Sequence, residues 1–81
     1  MLVQRTPMPS AEVQAFQAVI VAMGRDPGAF RVQVFEARGH EGERLRRVHV
    51  VTQGAAVQYE ASTGAAWTES FARHLARGFF G

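Results

Sequence analysis

The spacing of the apolar residues changes twice along this chain, from a helical interval to strict alternation at Phe30 and back to a helical interval at Trp67. Few folds accommodate that order, and it predicts an α+β domain rather than a bundle or a sandwich. Val13, Phe16, Val19, Ile20 and Met23 form the first helical stripe. Ser10 stands at the expected N-cap with Glu12 in the first turn, and Gly24 supplies the stop, so a helix is predicted over 10–24. Arg25-Asp26-Pro27-Gly28 carries turn chemistry. Phe30, Val32 and Val34 then alternate with Arg31, Gln33 and Phe35 as a half-buried strand. A second strand sets Val48, Val50 and Thr52 against Arg47, His49 and Val51, and a third sets Val57, Tyr59 and Ala61 against Gln58 and Glu60. Trp67, Phe71 and Leu75 recur every four residues on a last helix that Gly78 ends, with Phe79 and Phe80 folding back beyond it.

Parity tests the strand pairing. The core-facing residues of the first two strands are even-numbered, which requires a loop with an odd number of residues, and Gly39 to Glu43 provides one. A two-residue turn at Gly54-Ala55, glycine first as a type II′ turn prefers, pairs Gln53 with Ala56. Thr52 then faces Val57, Val50 faces Tyr59 and Val48 faces Ala61, while Val51 faces Gln58 and His49 faces Glu60. The expected fold is helix-strand-strand-strand-helix, a three-stranded antiparallel meander with both helices packed on one face. Residues 1–9, with two prolines and no apolar run, are expected to form a flexible tail, and residues 10–81 a single domain.

A chain of 81 residues has room for one core, because folding at this size buries roughly 60–65% of the unfolded surface. With no cysteine there is neither a disulfide nor a thiolate site, which fits a reducing, cytoplasmic location. No signal peptide or membrane span is expected. The isoelectric point near 10.5 overstates the charge, which is +2. All nine basic residues are arginine, which does not titrate in the ordinary range.

Three surfaces carry candidate function. The open sheet face presents Arg31, Phe35, Arg47 and His49, residue types that stack on bases and contact phosphate. The arginines of the first hairpin, Arg38, Arg44, Arg46 and Arg47, add a phosphate grip, tempered by Glu36, Glu41 and Glu43 between them. The outward side of the first helix, with Gln14, Gln17, Ala18 and Val21, carries no charge, which suits contact with a protein partner or a second copy of the chain. His40, His49 and His74 lack metal-ligand spacing, and no nucleophile elbow or phosphate-binding glycine loop is present. No cofactor, metal or catalytic residue is therefore assigned. The expected function is a non-enzymatic interaction domain that forms a homodimer or binds a protein partner. Nucleic-acid binding through Arg31, Phe35, Arg46, Arg47 and His49 is the alternative, and a small enzyme or ligand-binding domain comes third.

The order helix, strand, strand, strand, helix resembles the double-stranded RNA-binding domain in topology. That resemblance implies RNA contacts from the first helix, here Gln14 and Gln17, and from the first hairpin loop, here Gly39-His40. It also implies a cationic start to the last helix, where this chain has Ala65-Ala66-Trp67-Thr68-Glu69 and no cation. The segment from Tyr59 to Gly81 resembles small single-domain proteins of high-GC bacteria, a likeness that implies no activity.

Overall fold

The computed structural model describes residues 3–81. It is an α+β fold with a four-stranded antiparallel sheet, β1 (Val3–Thr6), β2 (Arg31–Arg38), β3 (Arg44–Val51) and β4 (Ala56–Glu60), adjacent in that order. Helix α1 (Ser10–Ala22) and a single 3-10 turn at Pro27–Ala29 connect β1 to β2, and helix α2 (Trp67–Ala76) follows β4. The expected meander of three strands is present and β1 extends it. Val3–Thr6 pairs with β2, Val3 opposite Ala37 and Thr6 opposite Val34, so the stretch read as a tail contributes an edge strand. Residues 1 and 2 of that stretch lie outside the described residues. A four-residue edge strand with one strongly apolar side chain has no hydrophobic run of its own. Its pairing comes from the free edge of β2.

Pro7 and Pro9 end β1 and launch α1, since proline donates no ladder hydrogen bond and fixes its own φ. Pro9 is the N-cap and no side chain caps the helix, so Ser10 lies one position inside its expected place. Both helices end in the same way. Gly24 at φ +72° and Gly78 at φ +81° follow the caps. In each case the amide after the glycine reaches back into the last turn, Arg25 N–H to Ile20 O at 2.9 Å and Phe79 N–H to His74 O at 3.0 Å.

The register of β2 on β3 follows the expected parity, with Val32 opposite Val50 and Val34 opposite Val48 around the five-residue loop 39–43. The β3–β4 register differs from the expected one by two residues. Val50 faces Val57, Val48 faces Tyr59, His49 faces Gln58 and Arg47 faces Glu60. The Thr52 amide donates to Ala55 O at 2.8 Å, so the tight turn is Gln53-Gly54 rather than Gly54-Ala55. A slip of two keeps every side chain on its face, which is why hydrophobic phase alone did not distinguish the two registers. The expected His49–Glu60 pair does not form.

The core lies between the sheet and both helices, which share one face. Phe16 and Ile20 of α1, Trp67, Phe71 and Leu75 of α2, and Val34, Val48, Val50 and Tyr59 of the strands belong to one cluster. Phe71 is its centre, its ring 4.9 Å from Phe16 and 5.5 Å from Phe80. Phe80 folds back into the core as expected. Phe79 stays outside, stacked 4.6 Å from the His74 ring. Among the described residues no helix is long and apolar enough to cross a membrane.

Candidate functional site

The sheet separates the charged residues by face. On the helix side, Glu12 of α1 and Arg46 of β3 form a buried ion pair through two parallel hydrogen bonds of 2.9 and 2.8 Å. The indole N–H of Trp67 donates to the same carboxylate at 2.7 Å, and Arg46 also donates to Ala61 O at 3.2 Å. Burial pushes the Glu12 carboxyl up, but the hydrogen bonds from Arg46 and Trp67 and the charges of Arg46 and Arg44 outweigh it. They hold the group below the usual carboxylate range. Glu36 lies 3.7 Å from the Arg46 guanidinium and pairs with Arg44. Arg38 donates to Gly42 O within its own loop at 3.1 Å.

Of the hairpin arginines, Arg44 and Arg46 are therefore engaged by Glu36 and Glu12, and Arg38 by its own loop. Arg46, expected among the nucleic-acid contacts, is 5% exposed and satisfied by protein acceptors. Its even number carries the reason. It follows the parity of Val48 and Val50 onto the helix side, and only Arg47 of the cluster reaches the open face. Glu12 obeys the same rule on α1, one turn before Phe16 and two before Ile20. Trp67 stands one turn before Phe71. Each polar member thus extends an apolar stripe, a signal present in the sequence that apolar counting passes over.

The open face is arranged in cross-strand rows. Val3, Ala37 and Leu45 form one, Arg5, Phe35, Arg47 and Glu60 the next, then Gln33, His49 and Gln58, then Arg31, Val51 and Ala56. The expected residues Arg31, Phe35, Arg47 and His49 are thereby brought together. Arg5, Val3 and Leu45 join them, the first two because β1 exists. Phe35 and His49 are diagonal neighbours with ring centroids 4.7 Å apart and planes at 53°. An open groove of about 460 Å³ runs along this end of the face, bordered by Val3, Phe35, Leu45 and His49. Val3 is 57% exposed and Leu45 37%. Among the described residues, Arg5, Arg31 and Arg47 form no ion pair within 4.0 Å. Glu60, at the far edge, is held below its usual range by hydrogen bonds from the Ser62 side chain and backbone, with a smaller contribution from the Arg47 charge.

The expected interaction surface of α1 lies on the outer side of the helix. Gln14, Gln17, Ala18 and Val21 are all exposed, Val21 at 62%. His74 bonds the Tyr59 hydroxyl through Nδ1 at 2.8 Å, and burial raises the Tyr59 pKa to about 12. Comparison with known proteins returned no match to a family model, a curated protein or a solved structure.

Proposed function

We propose that this chain is a non-enzymatic interaction domain that recognises its partner through the open face of the sheet. One observation carries the reading. Both helices pack on the same side, so the row Arg5–Phe35–Arg47 and the apolar row beside it, Val3–Ala37–Leu45, are left facing solvent. An antiparallel sheet with one solvated face is ordinarily polar there. An aromatic ring between two cations, bordered by exposed aliphatic side chains, is instead the composition of a recognition surface.

The test is amide chemical-shift mapping of the labelled chain against three probes: increasing concentration of the chain itself, polyglutamate and a short single-stranded oligonucleotide. Shifts concentrated on the open-face rows with any one probe support the reading. Shifts with none of them, or confined to α1, overturn it.

The uncharged outer side of α1 favours a second reading, association of two copies, because Val21 is exposed there beside Gln14, Gln17 and Ala18. Small side chains allow close helix approach. A solution mass that rises with concentration and is returned to the monomer by Val21→Lys supports this arrangement. A monomer at every concentration removes it.

A further inference from the structure

Resting on the open-face reading, we infer that the partner is single-stranded nucleic acid, with bases stacked on Phe35 and His49 and phosphates held by Arg5, Arg47 and Arg31. The charge on this face favours a polyanion. Three arginines surround the ring pair, and Glu60, the acid on the same rows, sits at the β4 edge with its carboxylate already engaged by Ser62. On the helix side acids are matched to arginines, Glu36 of β2 to Arg44 and Glu12 of α1 to Arg46. A second copy laid on the open face would bring arginine against arginine, which disfavours self-association there.

Spacing agrees with a strand crossing the sheet. Arg5 and Arg47 flank Phe35 on its two neighbouring strands, each about 5 Å away in the pairing direction. Arg31 lies four residues along β2 from Phe35, about 13 Å. Cations are therefore available on both sides of the rings and further along the path. The two rings meet at 53°, so each offers its own face instead of one continuous platform. Only unstacked bases can reach such faces, because a duplex keeps its bases within the stack. Stacking tolerates any base, so recognition without strong sequence preference is expected.

The experiment is fluorescence anisotropy with labelled oligo-uridine and oligo-thymidine, a duplex of equal length, and polyglutamate as competitor, across a salt series. Single strands are expected to bind with a log–log salt slope of about −2, three phosphates at about 0.7 each. Arg47→Ala should reduce that slope by about 0.7. Phe35→Leu keeps an apolar side chain and removes the ring, so it should weaken binding roughly tenfold with the slope unchanged. Arg73→Ala, on α2 across the sheet, should change neither.

Failure to bind single strands at low salt overturns the inference. So does a duplex that binds equally well, or binding indifferent to Phe35→Leu. If polyglutamate shifts the open-face amides and the oligonucleotide does not, the occupant is an acidic protein and the open-face reading stands. Shifts confined to α1 overturn both.

Discussion

Arg46 and Glu12, 34 residues apart in sequence, meet beneath the sheet as a doubly hydrogen-bonded ion pair shielded from solvent. The pair ties the first turn of α1 to the inner strand β3, and Trp67 ties the start of α2 to the same carboxylate. Three elements are thus located by one glutamate.

Removing one partner of a buried ion pair strands the other charge, at a cost of about 3–5 kcal/mol. Glu12→Gln is expected to lose stability of this order, read from urea unfolding followed by Trp67, the only tryptophan. The double variant Glu12→Leu with Arg46→Met removes both charges and should be more stable than Glu12→Gln. A double variant as unstable as the single one would show that packing, not the stranded charge, sets the loss.

Acid should unfold the protein partly through Glu12. Its folded pKa lies below the unfolded value of about 4.3, so the folded state binds this proton less tightly. The stability it contributes is complete above the unfolded pKa and is lost as pH falls through the folded one. Urea midpoints are expected to hold from neutrality to about pH 5 and then decline. In Glu12→Gln the decline should be shallower. Part of what remains belongs to Glu60, whose pKa is lowered by Ser62.

Tyr59 should behave in the opposite sense. With its pKa raised to about 12 by burial, the neutral phenol is favoured in the fold. Its contribution is complete below the unfolded value of about 10 and is lost as pH rises through the folded one. Because it is the only tyrosine, tyrosinate absorbance reports it alone. Titration near pH 10 in a folded protein would contradict its burial beside His74.

Gly78→Ala places a Cβ at φ +81°, which costs about 1–2 kcal/mol. The loss should appear in thermal unfolding. Phe80 depends on that turn for its entry into the core, so Phe80→Ala in the Gly78→Ala background should cost less than it does alone.

Much of the fold is legible in the chain because periodicity is local. The alternation from Phe30, the four-residue spacing from Trp67 and the glycines at 24 and 78 identify the helices and three strands without reference to distant residues. The open-face positions of Arg31, Phe35, Arg47 and His49 follow from the same parity. Arg5 was not legible in this way, because it enters the face only through the free edge of β2. The helix-side position of Arg46 follows from parity too, but its burial as an ion depends on Glu12 as its counter-ion.

The sequence by itself determined which residues face the core, since helix and strand geometry assign each side chain a direction from its neighbours alone. Tertiary structure decided the rest: the β3–β4 register, the fourth strand and the burial of an ion pair. Each of these compares alternatives with the same local pattern, and contacts between residues far apart in the chain choose between them. A two-residue slip preserves every face, so hydrophobic phase leaves the turn position open, and only the folded sheet sets Tyr59 opposite Val48 and Val57 opposite Val50 around Gln53-Gly54.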